Sequence, residues 1–305
     1  MIIGVDFGNF NTKTSEDVRF SSKICKDEKI IRLRKKDDEN LVIFEGQKYL
    51  VGEGELQTDI NKLDKDMFRI CVFTSIAKSI KGDDAQIVIG VPNNQYTDRN
   101  IQRIKNDLLG DKIQTISVGG VEKTFILSDI EVYSEGHAPY YGMTKEQREE
   151  IKFKDLIMVN IGGGNTNISY FKFENGKRKL DHNSTVPGGM IHLYADFINA
   201  INGECSINKS IEDAEDILQH GLEIYGEKQN LSFTKEIILE HTEKIFKELN
   251  LYPVKTSKIM FTGGGSKMLK GLLKSRVPGC LFQTNYMLAT AYGLKKVGET
   301  LWQEK

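Results

Sequence analysis

At 305 residues the chain has room for two domains, taking roughly 150 residues for each. Its 42 Lys and Arg stand against 43 Asp and Glu, a net charge of -1, which lacks the basic excess of a bulk nucleic-acid or anionic-membrane binder. Hydrophobic residues at 39% with charged residues at 28% exclude global disorder, and no apolar run approaches the roughly 18 residues of a membrane span.

The amino terminus reaches Asp6 without a basic segment, unlike a secretion signal. Cys25, Cys71, Cys205 and Cys280 form no CxxC pair, as suits reduced thiols. A soluble, cytoplasmic, two-domain protein is expected.

The first readable unit is strand, tight turn, strand: Ile2, Ile3 and Val5, then Gly8-Asn9-Phe10-Asn11, then a return through Lys13 and Thr14. From Ser21 to about Phe73 the chain reads as charged and strand-like in short pieces. There, KDEKIIRLRKKDDEN suggests a solvated hairpin and LVIFEGQKYLVGEGE a second one turning at Glu45-Gly46. Gln86 to Val91 is a buried strand stopped by Pro92, and Ile101, Ile104, Leu108 and Leu109 mark a helix capped by Thr97 or Asp98 and ended by Gly110. Two further strands are expected at TISVGGVEKTFIL and DIEVYS, before Glu135-Gly136.

The second half opens as the first did. LIMVNIGGGNTNISYFKFENGKRK reads as strand, glycine turn and returning strand, closed by the hairpin turn Asn175-Gly176. Aligning Val5-Asp6-Phe7-Gly8 with Val159-Asn160-Ile161-Gly162 places two related turns 154 positions apart, which hints at a duplicated architecture. Helices are expected at MIHLYADFINAIN, IEDAEDILQHGLEIY, Phe233 to Leu249 and Asn285 to Trp302, with KIMFT, a GGGS turn and a helix from Ser266 or Lys267 between the last two. Strands interleaved with helices in both halves indicate an α/β class.

Three glycine turns therefore follow apolar strands: Gly8-Asn9-Phe10-Asn11, Gly162-Gly163-Gly164-Asn165 and Gly263-Gly264-Gly265-Ser266. Glycine lets the backbone approach a ligand, and successive N–H groups form a concave nest for a phosphate. Neither GxxxxGK[ST] nor GxGxxG occurs, so the P-loop and dinucleotide fingerprints are absent. The five histidines show no metal-ligand spacing.

In this order the turns resemble the actin, Hsp70 and sugar-kinase superfamily. Asp6 to Lys13 is similar to its first phosphate loop, Asn160 to Asn167 to its second, and Ile259 to Ser266 to its adenosine motif. Glu131 to Ala138 and Thr185 to Leu193 stand where its connecting segments belong. The short chain, DFGNFNTK and the strand end IVIGVPNNQY resemble the bacterial actin-like proteins of the ParM type, which segregate plasmids.

The resemblance implies an actin-like two-domain fold of duplicated ribonuclease H-like halves with a nucleotide cleft between them. Domain I would span 1–155 with an outer subdomain at about 21–73. Domain II would span 156–305, with an outer subdomain at about 200–257 and a final helix returning towards domain I. It implies ATP or GTP with Mg²⁺, the base being left open. Gly8, Asn9, Phe10, Asn11, Lys13, Gly162, Gly163, Gly164, Asn165, Gly263, Gly264, Gly265 and Ser266 would bind the nucleotide. Asp6 would hold the magnesium through water, with Asn160 as a second, neutral contact, and Glu135 would orient the attacking water.

The family commonly carries Asp where Asn160 stands, and often again at Asn167, so hydrolysis slower than the family pattern is expected. Residue by residue the bland alternatives are a solvated turn aspartate, a surface lysine and an exposed glutamate. The function implied is a nucleotide-dependent, filament-forming ATPase in plasmid segregation, partnered by itself and a DNA-binding adaptor, without direct nucleic-acid or membrane binding. Alternatives are a small-molecule kinase or phosphatase on the same fold, or a weakly hydrolysing scaffold. Arg32, Arg34 and Lys35 are candidates for subunit contact.

Overall fold

The computed structural model describes residues 1–56, 67–110 and 112–303. The chain divides into two compact units, Met1–Arg148 with Met287–Lys305, and Glu149–Tyr286. The part of the 21–73 segment that runs from 57 to 66 lies outside the described residues.

The first unit opens with β1 (Ile2–Phe7), β2 (Asn11–Thr14), β3 (Arg19–Ser21) and β4 (Ile24–Cys25), then α1 (Glu28–Arg32) and the hairpin β5 (Leu41–Phe44) and β6 (Gln47–Val51). It continues through α2 (Phe68–Ser79), β7 (Asp84–Val91), α3 (Asp98–Leu109), β8 (Ile113–Val118), β9 (Val121–Ser134), α4 (Ala138–Tyr141) and α5 (Lys145–Glu150), inside which the boundary falls. The second unit holds β10 (Leu156–Ile161), β11 (Asn165–Glu174), β12 (Lys177–Pro187), α6 (Met190–Cys205) and α7 (Ala214–His220). It ends with β13 (Glu223–Ile224), β14 (Glu227–Lys228), α8 (Lys235–Leu249), β15 (Lys258–Thr262), α9 (Gly264–Met268), α10 (Lys270–Arg276) and β16 (Leu281–Phe282). The last helix, α11 (Ala289–Gln303), belongs to the first unit.

The repeat seen in the glycine turns extends to whole sheets. One sheet runs β3-β2-β1-β7-β9, continuing to β8-β5-β6-β4, and the other runs β12-β11-β10-β15-β16. In both, the central strand pairs antiparallel with its hairpin partner and parallel with the strand on its other side. The two halves thus share one five-strand pattern, and the architecture is the actin-like α/β fold of duplicated halves.

Alternation along β1 divides the faces of the first sheet. Ile3, Val5 and Phe7 join the core that contains α2 and Ile87, Ile89 and Val91 of β7. Gly4 faces α11, where a Cβ would lie 2.6 Å from the Lys295 amide nitrogen and 3.0 Å from the Leu294 Cβ. Only glycine lets the helix lie this close. Val88 packs with Leu294 and Val297 on the same face.

Several elements differ from the sequence expectation. KDEKIIRLRKKDDEN carries a short helix rather than a hairpin: the Asp27 carboxylate accepts the Lys29 N–H at 2.8 Å, and Arg32 pairs with Glu28 one turn back. The strand-like reading up to Phe73 fails at α2, whose residues are buried at ten of twelve positions. A helix covered on every side has no polar face, so no 3.6-residue period marks it.

TISVGGVEKTFIL and DIEVYS are not two separate strands but a hairpin whose second arm is the 14-residue β9. The ladder between β7 and β9 shifts register at Ala85/Gln86, and Ser128 there bonds the Asp84 carboxylate and the Ala85 carbonyl, which reads in sequence as a break. The helix in IEDAEDILQHGLEIY stops at Gly221, φ 86°. α9 begins at Gly264, earlier than Ser266.

Candidate functional site

The candidate residues gather at the carboxyl ends of the parallel strands in each unit. In the first unit, β1 ends in Asp6 and Phe7, and the Gly8 N–H closes the turn onto the Asn11 carbonyl at 3.0 Å. Register places Asp6 opposite Lys13, and the Lys13 ammonium lies 2.8 Å from the Asp6 carboxylate. Asp6 is 5% exposed, so it is not a solvated turn aspartate, and Lys13 is not an ordinary surface lysine.

The back of this loop is held by Ser22, a residue that reading by motif passes over. Its hydroxyl donates to the Gly8 carbonyl at 2.6 Å, and its N–H donates to the Phe10 carbonyl at 3.0 Å. The same hydroxyl shares a hydrogen bond with Thr12 at 2.9 Å. In a planar trans peptide the N–H points opposite to the C=O. Two carbonyls tied back to Ser22 therefore turn the amides of Asn9 and Asn11 to the other side of the loop.

Glu135 follows β9 and is 7% exposed, with its N–H on the Val91 carbonyl at 2.8 Å. Its side chain packs over Gly90, where an added Cβ would meet the Glu135 Cγ at 2.9 Å. Gly90 shares the α11 face with Val88, as Asp6 does with Gly4, and β1 and β7 are neighbours. The fold thus brings Asp6, Lys13 and Glu135 to one side of one sheet edge. Asn93 fixes the segment after Glu135: its Oδ1 accepts the Ser134 hydroxyl, which in turn accepts the Gly136 N–H at 3.2 Å. His137 beside it is buried, and burial lowers its pKa to about 4, so the ring is neutral at pH 7.

In the second unit, the Gly162 N–H closes onto the Asn165 carbonyl at 2.9 Å. The carbonyls of Gly162, Gly163 and Gly164 accept the N–H groups of Met190, Ile191 and Gly189 at 3.0, 2.9 and 2.8 Å. The opening amides of α6 are thereby used by the loop. With three carbonyls facing the helix, the amides of Gly163, Gly164 and Asn165 face away from it in succession, a nest for an anion. Gly189 is required by this closeness, since a Cβ would sit 2.5 Å from the Gly162 oxygen and 2.7 Å from the Asn165 nitrogen.

Asn160 and Asn167 are the counterparts of Asp6 and Lys13, paired across β10 and β11 in the same register. The row continues to Thr185, whose hydroxyl donates to the Asn167 Oδ1 at 3.0 Å, and to Thr262, beside Asn160 on β15. A charged pair in one unit thus answers to an uncharged polar row in the other. Gly263 turns the chain at φ 81°, with the Asn160 Oδ1 only 2.5 Å from where a Cβ would stand. Ser266 then donates its hydroxyl back to the Gly263 carbonyl at 2.7 Å. Gly264, Gly265 and Ser266 all lie within α9.

Of the buried oxygens in the second unit that have no hydrogen-bond partner among the described residues, Asn165 Oδ1 and Thr262 Oγ1 lie at the glycine loop and beside Asn160. Buried polar atoms are nearly always satisfied by protein or water, so both suit a donor from outside the chain, such as a metal-bound water. Among the described residues no group of three or more His, Cys, Asp or Glu suits a protein-held metal cage. The single carboxylate of Asp6 at the end of β1 fits instead a hydrated Mg²⁺ carried by phosphates, which usually takes one or two carboxylates.

Among the described residues no helix is long and apolar enough to cross a membrane. Residues 4–137 match the family of actin-like protein N-terminal domains. No curated protein sequence matches the chain.

Solved structures match over nearly its full length. A non-polymerisable quadruple mutant of pCBH ParM superposes with a TM-score of 0.80 at 20% identity, covering 98% of this chain and 99% of that one. A 15-stranded ParM filament from Clostridium botulinum gives 0.77 at 19%, with the same coverage. An archaeal actin homologue, Ta0583, in complex with ADP gives 0.78 at 16%, covering 98% and 99%. Residues 4–137 are thus similar to the N-terminal domains of actin-like proteins, and the chain as a whole has the actin-like fold.

Proposed function

We propose that the chain is a nucleotide-dependent, filament-forming ATPase of the ParM type. The observation that carries this reading is the matched pair of glycine loops, each with its carbonyls tied back so that its amides face outward. Such amides suit the β- and γ-phosphates of a nucleoside triphosphate. Asp6 would hold a phosphate-borne Mg²⁺, Lys13 would leave its ion pair to meet the phosphates, and Glu135 would orient the attacking water. When bound, magnesium supplies charge neutralisation at the transferred phosphoryl group.

Self-association is supported by likeness to the filament from Clostridium botulinum. An adaptor-linked DNA cargo rests on the ParM resemblance. In α1 and its surroundings Arg34 pairs with Asp38 and Glu53 of its own unit and Arg32 with Glu28, while the Arg32 side chain stays 78% exposed and open to a subunit contact.

A slower, scaffold-like variant of this reading is favoured by one observation. The row Thr185, Asn167, Asn160 and Thr262 brings no charge to its side of the site.

The test is high-speed sedimentation with ATP or GTP and Mg²⁺, with phosphate release assayed in the same tubes. Nucleotide-dependent pelleting with release supports the ATPase, and pelleting without release supports the scaffold. A protein that stays in the supernatant with both nucleotides across a concentration series overturns the filament reading in favour of a kinase or phosphatase.

A further inference from the structure

Two bulky aromatics in the second unit are held in the left-handed region, which such residues rarely adopt. Tyr225 has φ 54° and forms the tip of the β13–β14 hairpin with Gly226, and its ring is fully exposed. Phe153 has φ 60° and is 67% exposed, just before β10. Each lies in a turn where Asn or Gly would sit without strain. At Tyr225 the folded chain gains nothing from a ring in water, and at Phe153 most of the residue stays exposed.

Their surroundings are complementary. Glu223 and Glu227 flank Tyr225 on the hairpin, with Lys228 opposite Glu223, so residues 223–228 carry a net charge of -1. Phe153 stands against Phe173 with ring centroids 5.6 Å apart, the Lys152 ammonium is 5.5 Å from the Phe153 ring, and the Arg178 guanidinium is 5.7 Å from the Phe173 ring. Over 149–155 and 172–179, Lys152, Lys154, Lys172, Lys177, Arg178 and Lys179 stand against Glu149, Glu150, Asp155 and Glu174, a net charge of +2. The patches also lie towards opposite ends of the strands. Phe153 precedes β10, at the edge where β10 and β15 begin. The hairpin follows α7, whose Gln219 bonds the Met268 sulfur on α9, beyond the end of β15.

We infer that Tyr225 of one copy of this chain seats on the Phe153–Phe173 patch of the next. This inference rests on the filament reading above and names the contact behind it. Two different patches facing opposite ways make a heterologous contact, which repeats without closing and so builds a filament. The aromatic anchor supplies buried area and the flanking glutamates meet the lysines of the neighbour.

The experiment is nucleotide-dependent sedimentation of the full chain as wild type, Tyr225→Asn and Phe153→Asn. Asparagine tolerates the left-handed turn, so each variant should melt at or above the wild-type temperature. Each should raise the critical concentration for pelleting by at least about tenfold, the loss of one anchor. An equimolar mixture of the two variants keeps one good patch on each and should form 1:1 dimers in sedimentation velocity without pelleting.

Wild-type protein that never pellets would overturn the filament reading itself. Wild type that pellets alongside variants that pellet equally well would overturn this contact alone. Impaired variants whose mixture forms no dimer would overturn the pairing of the two patches.

Discussion

Lys13 and Asp6 face each other across the first hairpin at 2.8 Å, both largely withdrawn from water. The equivalent places in the second unit hold Asn167 and Asn160. Removing one partner of a buried pair leaves an uncompensated charge and costs more than removing both. Lys13→Ala should therefore destabilise the chain by about 3 kcal/mol in urea unfolding, and Asp6→Asn combined with Lys13→Ala should recover at least half of that. Equal instability of single and double variants would place the energy elsewhere.

Glu135→Ala should leave nucleotide binding intact and slow phosphate release. Gly90→Ala should act in the same way without touching the carboxylate, because its Cβ would press on the Glu135 Cγ. A displacement of this size at a water-orienting group is worth on the order of a hundredfold in rate. Single-turnover phosphate release, compared with nucleotide affinity, separates the effect from lost binding. A Gly90→Ala protein with wild-type release would show that Glu135 does not work from this position.

Ser22→Ala removes the hydroxyl that ties the Gly8 carbonyl back. The loop amides would lose their fixed direction, and nucleotide affinity should fall about fivefold to tenfold, the equivalent of roughly 1 kcal/mol of hydrogen bonding. Isothermal titration with ADP reads this directly. Unchanged affinity would mean that the β-ladder alone orients the loop.

Acid should weaken the fold through two buried imidazoles. Burial lowers both His137 and His241 to about 4, and nearby Lys244 adds to the effect at His241. An unfolded histidine titrates near 6.5, so between pH 6.5 and 4 the unfolded chain binds more protons than the folded one. Stability is full above about pH 6.5 and falls with pH below it, by up to roughly 3 kcal/mol for each histidine. His241→Leu should flatten about half of this slope in urea unfolding measured from pH 7.5 to 4.5. An unchanged slope would assign the acid sensitivity to other groups.

Gly263→Ala combines a positive φ with a Cβ 2.5 Å from the Asn160 Oδ1. A loss of about 3 kcal/mol or more in thermal or urea unfolding is expected. Stability close to wild type would mean that Asn160 and the β10 end shift freely.

The sequence showed most where a residue type answers to a local need. The three glycine turns follow largely apolar strands, and their order carried the duplicated fold. It showed least where a contact is made across the fold. Ser22 acts on a loop 14 positions earlier, and Gly90 matters because Glu135 folds over it. Neither residue carries a motif of its own. α2 escaped for another reason, since a helix buried on every side offers no alternation to read. The Ser128 irregularity split one long strand into two apparent ones.

The three hydrogen bonds from the start of α6 to the carbonyls of Gly162, Gly163 and Gly164 join loop and helix into one rigid body. A helix of 16 residues extends about 24 Å. Were the loop to close on a phosphate, it would not move alone. It would draw the helix with it, so that a displacement at Gly163 would be felt at Cys205, where the helix ends.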